Sequence, residues 1–240
     1  MNKKYQNNYA AGRPQMYDVS GRRRKAKNMV LVLKDYFVGV NLRDLKLLDV
    51  GASSGIIDEY LARIFRSVDG IDIDSVAIEY ARRNFHRKNL KFKIDDALSL
   101  SFKNDSFDVV VCAHVYEHVA DKQKLFKEIH RVLRPGGVCY LAAQNRLWPL
   151  EAHHNLLFLS WLPKNLANIY IRVRGKKEYY EDPSTYWGLR RLVRKFGIND
   201  YTQKILKDPK KFGYANLSVP SPIADITKYF TPTMFWVLKK

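Results

Sequence analysis

Between Val50 and Ile56 the chain reads Gly51-Ala52-Ser53-Ser54-Gly55. Glycines at this spacing, after an apolar run and before a helical pattern, let a ligand approach the backbone closely, and a following helix start offers it unpaired N–H groups. Asp72 comes about 20 positions after the turn opens, where a carboxylate ending the next strand accepts hydrogen bonds from both hydroxyls of a ribose. The pairing is the chemistry of nucleotide binding. The same five residues also fit G-x-S-x-G, the nucleophile elbow of a hydrolase, with His153 or His154 as the later histidine. That reading leaves Asp72, Asp96-Ala97 and Arg134-Pro135-Gly136-Gly137 without a purpose, so it is set aside.

The elements around these residues follow from their patterns. Lys46 to Val50 is a strand, and Ile56, Tyr60, Leu61, Ile64 and Phe65 recur at helical spacing behind the turn. Ser67 to Asp72 is a second strand, and Asp74-Ser75 caps a helix carrying Val76, Ala77, Tyr80 and Ala81. Leu90 to Ile94 and Phe107 to Ala113 are further strands, Lys122 to Leu133 an amphipathic helix, and Val138 to Ala143 a fifth strand after the Pro-Gly-Gly turn. The alternation breaks after Asn145. It resumes with a helix over Ser184 to Phe196, a strand around Asn199 to Leu206 and a last strand over Met234 to Leu238, with loops at Asp208-Pro209 and Pro220 to Pro222. The expected fold is α/β: a doubly wound, mostly parallel seven-stranded sheet with helices on both faces. Its parts are a basic helical extension over 1–46, a nucleotide-binding core over 47–145, a lid insertion after the fifth strand over 146–183, and a completing helix and two strands over 184–240.

The turn and Asp72 leave two readings open, a dinucleotide site or an S-adenosylmethionine site, and the stretch after the third strand separates them. Asp96-Ala97, then Leu98-Ser99-Leu100-Ser101-Phe102, then Asp105-Ser106-Phe107-Asp108-Val109-Val110 resembles the pattern of class I methyltransferases. Tyr116-Glu117-His118-Val119 and Leu133-Arg134-Pro135-Gly136-Gly137 resemble the exit of that family's fourth strand and the turn before its fifth. The resemblance covers about 100 residues and is to the small-molecule type of methyltransferase domain, number 11 of its series. It implies S-adenosyl-L-methionine as cofactor. Asp49, Gly51, Ala52, Ser53 and Gly55 would line its methionine and ribose side, Asp72 the ribose, Asp96 and Ala97 the adenine, with Ile73 and His114 also at the cofactor. Ser53 departs from the family, in which glycine is usual at that position.

Methyl transfer from a sulfonium is an in-line displacement, so alignment and exclusion of water come first. An acceptor that begins protonated also needs a base, and His118 and His114 are the candidates because imidazole titrates near neutral pH. Tyr116, Asn145, Arg146, His153 and His154 are the candidates for contact with the acceptor. The sequence holds no HExxH, no carboxylate cluster and no Cys/His cluster, so no metal is expected. Cys112 and Cys139 read as reduced, buried thiols.

The net charge is +18, and its distribution bears on the acceptor. Residues 1–46 hold 11 Lys/Arg against 3 Asp/Glu and residues 146–240 hold 17 against 7, while the core is balanced at 14 against 14. The flanks are therefore expected to meet something anionic. The run Arg22-Arg23-Arg24-Lys25-Ala26-Lys27, with Tyr9, Tyr17 and Tyr36 nearby, places cations outward on a helix. Leu147 to Leu150, Leu156 to Pro163 and Leu166 to Ile171 are rich in apolar and Trp residues and lead into Arg172, Arg174, Lys176 and Lys177, the composition of an interfacial membrane contact or of a lid. The reading is a small, amphipathic or phosphate-bearing, lipid-linked acceptor, with peripheral contact to an anionic membrane. Alternatives are a tRNA or rRNA methyltransferase using nucleic acid as partner, for which no RNA-binding module is present, and a cofactor-binding regulator without turnover. No spanning segment or secretory leader is expected, which implies a cytoplasmic protein.

Overall fold

The computed structural model describes residues 13–175, 178–214 and 219–240. Tyr9, Lys176 and Lys177, singled out above, lie outside the described residues. Helix α1 (Val19–Tyr36) opens on Asp18, whose side chain accepts from the Ser20 N–H. Then follow β1 (Lys46–Val50), α2 (Ile56–Leu61), β2 (Ser67–Asp72), α3 (Ser75–Asn84), β3 (Leu90–Ile94), β4 (Phe107–Ala113), α4 (Lys122–Val132) and β5 (Leu133–Gln144). The insertion contributes a hairpin of β6 (Leu150–Glu151) and β7 (Leu156–Leu157), a 3-10 turn and α5 (Lys164–Val173). The chain closes with α6 (Tyr186–Leu192), β8 (Gly197–Asp200), α7 (Tyr201–Lys207), α8 (Ser221–Thr227) and β9 (Thr233–Lys239).

The sheet has seven strands in the order β3-β2-β1-β4-β5-β9-β8, parallel except for β9, which runs antiparallel to both neighbours. Strand residues alternate between two cores. Leu47, Val109 and Val111 point to one side with α1, α2, α3 and α7, while Leu48, Val110 and Cys112 point to the other with α4 and α6. Strand order reverses between β1 and β4, and ligands of open α/β sheets bind in the crevice at the carboxyl ends of strands at such a switch point.

Helix α6 covers Tyr186–Leu192 rather than Ser184 to Phe196, and four other boundaries differ from the expectation, each for a local reason. The segment Tyr201–Lys207 is helix, with only Gly197–Asp200 as strand. Asp200 turns the chain there because its side chain accepts from the Thr202 N–H, and Tyr201 and Ile205, one helical turn apart, are buried together. The Pro-Gly-Gly turn is absorbed into β5 as an irregularity: pairing with β4 shifts between Phe107 and Val109, and Gly136 takes a φ of +79°. Regular helix in α2 stops at Leu61, although Phe65 remains buried as its spacing implied. Pro222 belongs to the first turn of α8, where a missing N–H costs nothing.

The insertion has its own small core of Leu159, Ala167, Ile171 and Tyr179 and is pinned to the sheet by polar contacts. The buried Tyr116 hydroxyl donates to the Gln144 carbonyl and accepts from the Ser184 N–H (2.5 and 2.8 Å). The Asp182 N–H donates to the Glu117 carbonyl, and Lys122 pairs with the Asp182 carboxylate at 2.8 Å. Tyr116→Phe strands a buried carbonyl and a backbone N–H together. It is expected to lower the unfolding free energy by about 1–3 kcal/mol in a urea titration, and an unchanged midpoint would show that Tyr116 is not a strut.

Candidate functional site

The turn between β1 and α2 is held against the end of β2. The Gly51 and Ala52 N–H groups both donate to the Ile71 carbonyl (2.8 and 2.9 Å), and the Ser53 N–H donates to Asp72 Oδ2 at 2.9 Å. Gly51 has φ +91°, and a Cβ there would collide with Val115, so the backbone has to be bare at this point. Ser53 adopts φ +51°, a region glycine enters without strain, and its buried hydroxyl has no hydrogen-bond partner. The other Asp72 oxygen accepts from the Asp74 N–H at 2.9 Å, while the Asp74 side chain caps α3. Burial raises the Asp72 carboxyl above its ordinary range, opposed by the Asp74 and Ser53 N–H groups.

A cavity of about 450 Å³ opens over this turn, within the range of small-molecule sites. Of the expected cofactor residues, Gly51, Ser53, Asp72, Ile73, Asp96, Ala97 and His114 line it. Asp49, Ala52 and Gly55 do not. Gly55 packs instead against Phe92 and Ala81, where no Cβ would fit. Asp49 lies beneath the turn, buried beside the equally buried Asp58. Burial foremost pushes Asp49 up to about 7, with Arg22 opposing and Asp72 adding to the shift, while burial and then Asp49 push Asp58 up.

Of the expected acceptor residues, only His153 lines the cavity, together with His118. Tyr116 is the strut described above. Asn145 is buried in a turn, donating to the Tyr229 carbonyl and accepting from the Leu147 N–H. Arg146 and His154 lie outside the cavity lining, and His154 Nε2 meets Glu181 Oε2 at 3.3 Å.

The wall also includes Arg13, Met16, Arg22, Lys25 and Met29, residues that motif reading did not place there. They arrive because Ser54 donates to the Met16 carbonyl, which docks the start of the chain on the glycine turn. On α1, Arg22 and Lys25 line the cavity, Lys25 at its exposed edge, while Arg23, Arg24 and Lys27 are exposed and outside the lining.

Around the histidines stand three buried carboxylates. Glu117 follows β4, and His114 Nδ1 lies 3.4 Å from its Oε1. Glu151 accepts from the His153 and His154 N–H groups (2.9 and 2.7 Å) and from the Gln144 amide, which fixes the loop so that the His153 ring lies 4.9 Å from that of His118. Glu181 pairs with His154 and lies 3.9 Å from both His153 Nδ1 and Arg13. Burial lowers the pKa of His118 and of His153, with neighbouring carboxylates opposing it. Burial would raise Glu181, but His154, His153 and His118 outweigh it and hold the carboxyl at about 2.

Residues 48–141 match the family model described as a methyltransferase domain. Ubiquinone biosynthesis O-methyltransferases are similar to this chain: that of Bartonella tribocorum is 30% identical over 126 residues, covering 50% of this chain and 51% of the relative. That of Pelagibacter ubique is 32% identical over 121 residues, covering 48% and 50%. The chain thus spans about half the length of these curated relatives. Among solved structures, an S-adenosylmethionine-dependent methyltransferase of Methanosarcina mazei is similar over 87% of this chain and 96% of its own, with TM-score 0.56 and 23% identity. A chain from the complex of the Haloferax volcanii Trm112 methyltransferase activator with a methyltransferase covers 98% of each, with TM-score 0.63 and 17% identity, a likeness of fold. Residues 48–141 thus match a methyltransferase domain, and the fold is that of solved methyltransferases that depend on S-adenosyl-L-methionine as cofactor.

The bare backbone at Gly51, the unsatisfied Ser53 hydroxyl and the Asp72 carboxylate suit that cofactor. Two outcomes follow. Asp72→Ala is expected to weaken S-adenosylhomocysteine binding at least about tenfold by calorimetry, as loss of a charged hydrogen-bond acceptor requires; unchanged affinity would remove Asp72 from the site. Asp49 holds in the folded chain a proton that the unfolded chain releases above 3.8, so its contribution is complete below that pH and is lost as pH rises through about 7, and burial shifts Asp58 beside it in the same direction. Asp58→Asn should therefore gain stability relative to wild type between pH 5 and 8, by about 1 kcal/mol or more in urea titrations. A difference independent of pH would contradict the coupling.

Proposed function

We propose that this methyltransferase domain carries a methyl group from S-adenosyl-L-methionine to an oxygen of a small amphipathic acceptor that is lipid-linked or phosphate-bearing. The observation that carries the reading is the single cavity lined both by Gly51, Ser53, Asp72, Asp96 and Ala97 and by His118 and His153. A cofactor bound at the first group turns its reacting end toward the second.

When bound, S-adenosyl-L-methionine supplies an electrophilic methyl group on a sulfonium. The chain's own residues do the rest. Asp72 keeps lone pairs for the ribose hydroxyls beyond the two N–H groups it already accepts. Ala97, Ile73 and Val119 give the adenine an apolar slot, and Asp96 stands at its edge. Met16 and Met29 close the cavity from the amino-terminal side and help exclude water, while Arg13, Arg22 and Lys25 offer cations to an anionic acceptor. The names of the similar O-methyltransferases support oxygen as the accepting atom. The bases that would take an acceptor's proton are His118 and His114, both in the cavity wall.

The amphipathic character rests on the insertion. Leu157, Phe158, Trp161, Leu166, Ile169 and Val173 are large apolar residues left exposed within 17 consecutive positions, Trp161 at 48% and Val173 at 78%. Phe158 is presented on a left-handed backbone (φ +58°) with its ring 4.8 Å from that of Trp161, and Arg172 and Arg174 are exposed at the end of α5. An apolar face bordered by cations suits the surface of an anionic membrane, where a lipid-linked acceptor resides. No described helix is long and apolar enough to cross a membrane.

The experiment is transfer of radiolabelled methyl from S-adenosylmethionine to a cell extract, with Asp72→Ala as control. Label is expected in the organic or small-molecule fraction and not with the variant. Label in RNA would replace this reading with an RNA methyltransferase using the basic flanks, and cofactor binding without label anywhere would make the protein a regulator. In a vesicle sedimentation assay, Phe158→Glu with Trp161→Glu should lower partition onto anionic vesicles at least about tenfold, since each ring buries about 1.5–3 kcal/mol of apolar surface; equal partition would remove the membrane contact.

A further inference from the structure

Glu117, His118 and His153 present one carboxylate oxygen and two imidazole nitrogens that all lie within 4.8 Å of one another. Local spacing in the sequence does not reveal the group, because the loop after β4 supplies two members and the insertion supplies the third. We propose that these three residues bind a divalent transition-metal ion, and that this ion holds the hydroxyl of the methyl acceptor.

Two imidazoles and one carboxylate form a ligand set that suits Zn²⁺, Fe²⁺ or Mn²⁺, and three protein ligands leave further positions for water or substrate. Tetrahedral ligands at about 2.1 Å from an ion lie about 3.4 Å apart, so modest rotations of the two imidazoles close the group around it. The surroundings favour a cation. Glu117, Glu151 and Glu181 are all buried within one small volume, and taking three carboxylates out of water is costly unless positive charge answers them. Arg13 stands 3.9 Å from Glu181. The supporting contacts are of the kind that orient metal ligands. Glu151 holds the backbone of the His153 loop, Glu181 flanks His153, and His114 contacts Glu117.

The location gives the ion a use. His118 and His153 line the cavity shared with Asp72 and Gly51, so the ion's open positions face the place where an acceptor meets the cofactor. An acceptor hydroxyl bound there has its pKa lowered and gives its proton to solvent water. The oxygen lone pair then forms the O–CH₃ bond, while the pair of the breaking S–CH₃ bond returns to sulfur as a neutral thioether. This assigns His118 to the ion and narrows the acceptor to a hydroxyl compound. The ion's role rests on the methyl-transfer reading, whereas its binding does not.

The test separates the two. The full chain is stripped with a chelator, dialysed against micromolar Zn²⁺, Mn²⁺ or Mg²⁺, freed of unbound ion by gel filtration and analysed for metal. Co²⁺ loading is followed by its visible absorption. Wild type is expected to retain about one equivalent of Zn²⁺ or Mn²⁺, and His118→Ala and His153→Ala less than about one-tenth. His130→Ala, on α4 outside the cavity, should behave as wild type, and S-adenosylhomocysteine calorimetry on every variant confirms an intact fold. Wild type without stoichiometric metal, or metal retained by both histidine variants, overturns the site. If the site stands, stripped protein should still bind S-adenosylhomocysteine but lose methyl transfer until metal is restored. Full transfer by the stripped protein would leave the ion without the proposed role.

Discussion

The site depends on one constraint, the seating of the Gly51–Gly55 turn on the end of β2. Two N–H groups on the Ile71 carbonyl and a third on the Asp72 carboxylate fix the path of the chain. That path forces positive φ at Gly51, Ser53 and Gly55 and brings the bare backbone against Val115. The same carboxylate that anchors the turn lines the cavity, so the geometry of the site and the folding of β1 onto β2 are one arrangement. Beneath it, the Asp49 and Asp58 carboxyls are kept from water at a cost the surrounding sheet must meet.

What could be read in advance was whatever is local. Strands β1, β2, β3 and β4 begin and end where their apolar runs do, and Asp74 caps α3 as its type and place imply. Seven of the expected cofactor residues meet in one cavity because a glycine turn, a strand-end carboxylate and an Asp-Ala pair are each short patterns at strand ends. Residues 199–206 read as strand from β-favouring Tyr201 and Ile205, although their alternation is poor; the Asp200 cap decides for helix. Contacts across long separations left no local trace. Nothing near Met16 announces that Ser54 will bind its carbonyl, and nothing near His153 announces His118. Tyr116 and Asn145, candidates for contact with the acceptor, spend their polar atoms on the backbone of the insertion and its neighbours.

The insertion joins the two halves of the account. Its inner side brings Glu151, His153 and Glu181 against Glu117 and His118, and its outer side presents Phe158, Trp161 and Val173 beside Arg172 and Arg174. Charge is distributed accordingly: the core is balanced, and the excess cations lie in the segments that frame the cavity mouth or face outward.

A crystal structure of the full chain with S-adenosylhomocysteine tests the central claim most directly. The account predicts the ribose hydroxyls on Asp72, the adenine between Ile73 and Ala97 beside Asp96, and the sulfur directed toward His118 and His153. A ligand bound elsewhere, or one whose sulfur points away from the two histidines, would contradict it.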